Sequence, residues 1–225
     1  NFFYNYAFVS FTLQHEFAKK LGFKNKNILM NALSANVKLF NISEEEFKLK
    51  TANYPKVFIF VGRLVYEKGL KELIEAYEIY KNKLNGKWEL FLVGNGPLKN
   101  KNFLKNVKII NFTNPQKLKK LFFNSGALIL PSQKDKSPLV VHEACCARLP
   151  LILSDSVGNS STFLIEGLNG FSFKTTNSKM LAEKLRRFDD LSSKEVVDFA
   201  NFSYKLSKRV TPEISAGSLL AVLNK

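Results

Sequence analysis

Cysteine is scarce in this chain of 225 residues, and the two present, Cys145 and Cys146, are neighbours. Adjacent cysteines cannot staple a fold, and no pair is spaced to hold zinc, so a disulfide framework and a structural zinc site are both excluded. No stretch reaches the ~18 consecutive apolar residues of a membrane-spanning helix, and no secretory leader is recognisable. These absences together predict a reducing, cytoplasmic setting. A starting methionine is missing as well: the chain opens on Asn1 inside an aromatic run, and is expected to be part of something longer.

Acidic residues are in the minority, with 34 Lys and Arg against 19 Asp and Glu for a net charge of +15. Such an excess attracts nucleic acid, anionic lipid headgroups or phosphorylated small molecules, and by itself does not choose among them. A coding bias toward Lys and Asn that merely solvates the surface fits it as well. No RNA-recognition, zinc-finger or helix-turn-helix pattern accompanies the charge, so nucleic acid is not the expected partner.

Apolar sequence is plentiful, at 45% of residues, enough for one large core or one core and part of another. Bursts of β-branched and aromatic residues, VFIFVG (57–62), ELFLVG (89–94), VKIINF (107–112), ALILP (127–131) and PLILS (150–154), read as strands buried on both faces. Between the first two, Leu70, Leu73, Ile74, Tyr77 and Tyr80 recur at helical spacing. QKLKKLFFNSG, HEACCAR and SKMLAEKLRRF supply further helices. Alternating strand and helix predicts an α/β fold with a doubly wound, Rossmann-like parallel sheet. The first fifty or so residues keep this rhythm less cleanly. There TLQHEFAKKLGF reads as a short helix closed by Gly22, ILMN as a strand, and SEEEF as a helix start with Ser43 and Glu46 in a capping box. The aromatic stretch FFYNYAFVSFTL from Phe2 reads as core.

Ligands of such sheets bind beyond the carboxyl ends of the strands. GRLVYEKG follows the first strand, GNGPL the second and PSQKDKSPLVVHEA the fourth. Arg63 and Lys68 flank a turn and are expected to converge on an anion, while Gly62 and Gly69 leave room for a ligand against backbone. Ser137 followed by Pro138 predicts a helix start whose free N–H groups face the same edge, a place suited to phosphate. Asp135 lies in the loop before that start and Glu143 about one and a half turns beyond it. Two acceptor carboxylates so placed suit two groups of hydroxyls with a diphosphate between them, as in a nucleotide sugar. Spacing alone proves little, since 19 acids in 225 residues give about 1.5 such pairs by chance; the signal lies in the combination.

GRLVYEKG, ELFLVGNGPL, ALILPSQKDKSPLVVHEACCARLPLILSD and EGLNGF, in this order, resemble the donor-binding half of the family 4 retaining glycosyltransferases, which have the two-domain GT-B fold. The resemblance runs from about Ile28 to Phe188, with Asn31 at the family's usual Asn. It implies that Arg63 and Lys68 hold the diphosphate and stabilise the leaving nucleotide in place of a metal, that Glu143 accepts from the ribose hydroxyls, and that Asp135, where Glu is usual, touches the donor sugar. It further implies backbone contacts from Leu139 and Val140 to the phosphates, with Ser137 and Pro138 beside them in place of the Phe and Gly of many members. The base would lie near Asn111, Phe112 and Thr113. Thr162 stands where a Glu is often found, His142 is assigned to packing or capping, and Cys145 and Cys146 to the core.

The implied layout is a remnant of the acceptor domain or a linker in residues 1–25, the donor domain in 26–190, and closing helices in 191–225 that cross back to the first domain. The implied activity is metal-free hexosyl transfer from a UDP- or GDP-linked sugar, with no cofactor, to a saccharide or lipid-linked acceptor. Envelope polysaccharide or lipopolysaccharide synthesis at an anionic membrane face is the expected setting. A GT-B epimerase acting on a UDP-sugar shares the architecture but uses other acids and histidines, and only His15 and His142 are available. A non-catalytic nucleotide-sugar-binding module is opposed by the joint presence of Arg63, Lys68 and Glu143.

Overall fold

The computed structural model describes residues 4–101 and 107–223. The N-terminal part holds β1 (Ala7–Phe8), α1 (Thr12–Lys20) and β2 (Ile28–Leu29), with β1 and β2 pairing in parallel as a small ribbon of their own. Gly22, at φ 90°, closes α1 as its sequence predicts, and the Phe23 N–H donates to the Ala18 carbonyl at 3.2 Å. The aromatic stretch before α1 departs from expectation. Phe11 is buried, but Tyr4, Tyr6 and Phe8 are exposed, because a two-residue ribbon offers no second layer to cover them; Phe2 and Phe3 lie outside the described residues.

After α2 (Val37–Phe40) comes α3 (Glu44–Ala52), which opens on the expected capping box: Ser43 Oγ accepts from the Glu46 N–H at 3.1 Å and Glu46 accepts from the Ser43 N–H at 2.8 Å. The main sheet then forms from β3 (Val57–Val61), β4 (Glu89–Val93), β5 (Lys108–Ile110), β6 (Ala127–Leu130), β7 (Leu151–Ser154) and β8 (Gly170–Phe173). Its strands are all parallel and run in the order β5-β4-β3-β6-β7-β8. The five apolar bursts form strands as predicted. The sixth, β8, starts on the last two residues of the EGLNGF motif and runs past it, a stretch that sequence did not mark as a strand.

The helices are α4 (Leu70–Asn82), α5 (Pro115–Phe123), α6 (Leu139–Cys146), α7 (Ser160–Phe163), α8 (Ser178–Asp189), α9 (Ser193–Ser207) and α10 (Pro212–Leu223). Helices α4 and α8 pack together on one face, and α2, α5, α6 and α9 cover the other, as right-handed crossovers to the two sides of β3 require. On the first face Phe58 of β3 stacks on Trp88 at 4.7 Å and Phe188 meets Trp88 edge-on at 5.1 Å. Such ring pairs add about 0.5–1.5 kcal/mol each beyond the area they bury. The chain winds outward from β3 through β4 and β5, then returns to β6 on the other side of β3. The sheet therefore reverses direction between β3 and β6, and a ligand crevice is expected above that point.

Candidate functional site

Two loops meet above the reversal, one leaving β3 with Arg63 and Lys68, the other leaving β6 with Asp135. Gly69 makes their close approach possible. At φ 69° it takes a conformation that other residues avoid, and a Cβ there would sit 2.0 Å from the Pro131 carbonyl oxygen. The sequence reserved this space for ligand; the structure fills it with the protein's own backbone. The Gln133 N–H donates to the Glu67 carbonyl at 2.9 Å, joining the loops directly. Across the junction Lys68 Nζ donates to Asp135 Oδ2 at 2.5 Å, with the two side chains only 17% and 14% exposed.

Arg63 and Lys68 therefore leave the same strand without sharing a target. The Arg63 guanidinium donates to Glu67 at 2.7 Å, and both side chains stand largely in water. The expectation of two uncommitted cations overlooked their acidic neighbours, one four residues along the chain and one on another loop.

The helix predicted at Ser137–Pro138 begins at Leu139. Pro138 occupies the cap position with an extended backbone, ψ 113°, and Ser137 Oγ is buried without a hydrogen-bond partner. Ser137 is thus not the cap. Proline cannot donate, so its carbonyl becomes the anchor and accepts from Asn159 Nδ2 at 2.9 Å. The N–H groups of Leu139 and Val140 remain in the first turn of α6, which is where the dipole favours an anion.

The rest of α6 is locked into the core. His142 is fully buried; its Nδ1 accepts from the Ala35 N–H at 3.0 Å, which leaves Nε2–H to donate to the Ser207 carbonyl at 2.9 Å. Burial pulls its pKa down, so the ring is a neutral clasp between α6, α9 and the segment before α2, in line with its packing assignment. Cys145 and Cys146 are fully buried and free. Arg148, just past the helix, reaches Asn201 at 2.9 Å, pairs with Glu44 and lies over the Tyr204 ring. With its far end held this way, α6 presents Glu143 on a half-buried face, where desolvation pushes the carboxyl up to about 7.

Beside the crevice a cavity of about 420 Å³ opens over β3, β4 and β5, lined by Gly62, Arg63, Gly94, Asn95, Phe112 and Thr113 among others. Phe112 is 78% exposed at its rim. Asn111 is tied instead to Lys99, whose Nζ donates to it at 2.5 Å.

Four contributors escaped sequence reading. Glu67, Gln133 and Asn159 fix the loops, and Gln14 of α1 donates to the Lys136 carbonyl at 2.7 Å, bringing the N-terminal part against the Asp135 loop. The loop after Asp135 is shaped further by Gly158, whose N–H donates to the Asp135 carbonyl at 2.8 Å and whose Cβ, if present, would lie 2.0 Å from the Lys136 carbonyl oxygen. Of these only Glu67, four residues after Arg63, carried a local signal. Among the described residues no group of three or more His, Cys, Asp or Glu is placed to hold a metal ion, and no helix is long and apolar enough to cross a membrane.

The model of the family described as glycosyl transferases group 1 matches residues 41–205. A Bacillus subtilis protein named as a teichuronic acid biosynthesis glycosyltransferase is 30% identical over 184 residues, covering 80% of this chain and 46% of that protein. The N,N'-diacetylbacillosaminyl-diphospho-undecaprenol alpha-1,3-N-acetylgalactosaminyltransferase of Campylobacter jejuni is 28% identical over 182 residues, 76% of this chain and 47% of that one. The chain thus spans about half the length of these curated relatives. Among solved structures, Anabaena HepE in complex with UDP and glucose superposes with a TM-score of 0.78 at 16% identity, covering all of this chain and 64% of that one.

Proposed function

This chain belongs to the glycosyl transferases group 1 family, and we propose that it is the donor-binding half of a retaining hexosyltransferase of the family 4 type. In this reading residues 26–190 bind a nucleotide sugar, α9 and α10 lead back toward an acceptor domain, and residues 1–25 are the end of that domain or the linker from it. Arg63 and Lys68 take the diphosphate together with the N–H groups of Leu139 and Val140, while Ser137 and Pro138 shape the approach to them. Glu143 accepts from the ribose and Asp135 from the sugar. Gly62, Phe112 and Thr113 hold the base in the adjoining cavity, with Asn111 at its edge. Charge on the departing nucleoside diphosphate is balanced by the two cations and the α6 terminus, without a metal.

UDP is the nucleotide we assign, on the strength of the UDP bound by HepE. The assigned setting is cell-envelope polysaccharide assembly on a saccharide or lipid-linked acceptor, because the bacterial relatives are named for teichuronic acid synthesis and for a diphospho-undecaprenol acceptor. A net charge of +15 suits peripheral work at an anionic cytoplasmic membrane face.

The observation that carries the reading is the convergence of Lys68, Asp135 and the α6 N-terminus above the sheet reversal, with a cavity alongside for a base. Its test is calorimetry with UDP and GDP. Lys68→Ala is expected to weaken nucleoside-diphosphate binding by about 1.5–3 kcal/mol, roughly ten- to a hundredfold; equal affinity in variant and parent removes Lys68 from the site.

A further inference from the structure

We propose that Asp135 and Glu67 are resident counter-ions of the anion site, and that an arriving diphosphate takes Lys68 and Arg63 from them, releasing Asp135 to the sugar. The inference rests on the assignment of the two cations to the diphosphate. Both already have carboxylate partners, Lys68 at 2.5 Å from Asp135 and Arg63 at 2.7 Å from Glu67. A diphosphate entering between them meets two negative groups as well as two positive ones, and its contacts with the cations come at the expense of those pairs.

The exchange needs no loop movement. The Asp135 backbone is held on both sides, its N–H donating to the Ser156 carbonyl at 3.4 Å and its carbonyl accepting from Gly158 at 2.8 Å. Gln133 pins the β3 loop at the Glu67 carbonyl. Rotation of the Asp135 and Lys68 side chains is enough to separate them.

Once Lys68 turns to phosphate, the Asp135 carboxylate is left next to an anion and short of a partner. Hydroxyls of a donor sugar satisfy it, whereas a nucleoside diphosphate without the sugar leaves it unpaired. The pair thus favours the complete donor over the spent nucleotide. After transfer Asp135 reclaims Lys68, which speeds departure of the product, a step that limits many enzymes.

The two pairs differ in weight. Lys68 and Asp135 are sheltered, while Arg63 and Glu67 are 71% and 57% exposed, and solvent weakens an exposed pair without abolishing it. Calorimetry on this chain, with UDP and GDP as probes, is expected to show nucleotide binding tightened about fivefold by Asp135→Asn and about twofold by Glu67→Gln. A purely structural role for Asp135 predicts weaker binding, so the sign of the change decides. Lys68→Ala serves as the control. If it leaves affinity unchanged, the donor-site assignment itself falls. If it weakens binding while Asp135→Asn fails to tighten it, the donor site stands and the exchange is overturned. Should Asp135→Asn not fold, Glu67→Gln decides alone: tighter binding supports the exchange, and unchanged or weaker binding overturns it.

Discussion

At Glu143 residue type and surroundings pull in opposite directions. The assigned task, accepting from two ribose hydroxyls, calls for an ionised carboxylate, yet burial on α6 pushes the group up to about 7. The consequence for stability has a definite sign. Between the ordinary value of 4.5 and the folded value near 7, the folded chain holds a proton that the unfolded chain has released, so stability falls as pH rises through that window. Glu143→Gln keeps the shape of the protonated form and is freed from this loss. Thermal melts should therefore show the variant matching its parent near pH 4.5 and exceeding it at pH 8, by about 1–2 kcal/mol once screening by nearby water is allowed for. A variant whose advantage over the parent is no greater at pH 8 than at pH 4.5 would mean that Glu143 is better solvated than its place on the helix implies.

The elements themselves were legible wherever burial leaves a repeating mark. β6 and β7 are shielded on both faces and β3 and β4 nearly so, so each is dominated by Val, Ile, Leu and Phe, and α3 announces itself through Ser43 and Glu46. β8 was not legible, because Gly-Phe-Ser-Phe is short, alternating and at the sheet edge, which gives it the look of a loop. In the site the pattern was similar. Arg63, Lys68, Asp135 and Glu143 sit on loops and a helix that sequence located, but the pairing of Lys68 with Asp135, 67 residues away, depends on how Gly69 and Gly158 bring two loops together. The start of α6 was misplaced by one residue because Ser-Pro has the chemistry of a cap, and the extended backbone of Pro138, whose carbonyl Asn159 holds, puts the cap one residue later. Between α3 and α5 an equally nonlocal contact yields a prediction. Lys50 of α3 is 2% exposed and donates to the Phe122 carbonyl at 3.1 Å. Burial brings its ammonium down to about 7 from 10.5. From pH 7 to 10.5 the unfolded chain holds a proton that the folded chain lacks, so this residue's contribution to stability is greatest above 10.5 and is lost as pH falls through 7. Lys50→Met loses the bond to Phe122 at every pH but escapes the buried charge, so its melting temperature relative to the parent should be higher at pH 6.5 than at pH 9.5. A pH-independent difference would show that water reaches the ammonium.

On the scale of the whole molecule, donor recognition and sugar transfer are separable requirements. The crevice, the cavity and the α6 terminus all belong to one sheet and its loops, and that sheet has its own continuous core of buried side chains from Phe11 to Val210. On the proposed assignment, every group that takes the nucleotide lies on this sheet and its loops. Transfer is different, because a reacting sugar must be oriented toward an acceptor and shielded from water, and nothing in the proposed roles of this chain supplies acceptor contacts. The relatives, of which this chain matches about half, have room for that second task. Helix α10 points the same way: it buries none of its side chains, and Leu219, Leu220 and Leu223 are exposed along it. A helix of 12 residues whose only packed stripe is the half-buried Ser215, Ser218 and Val222 is marginal in water, so its amides should exchange with solvent far faster than those of α6 or α9. The matching functional outcome is that this chain binds UDP measurably yet releases no more UDP from a UDP-sugar when an acceptor is added, whereas a protein of the relatives' full length shows acceptor-dependent release. Rapid acceptor-dependent transfer by residues 1–225 alone would place the acceptor site within this sheet and overturn the division between binding and transfer.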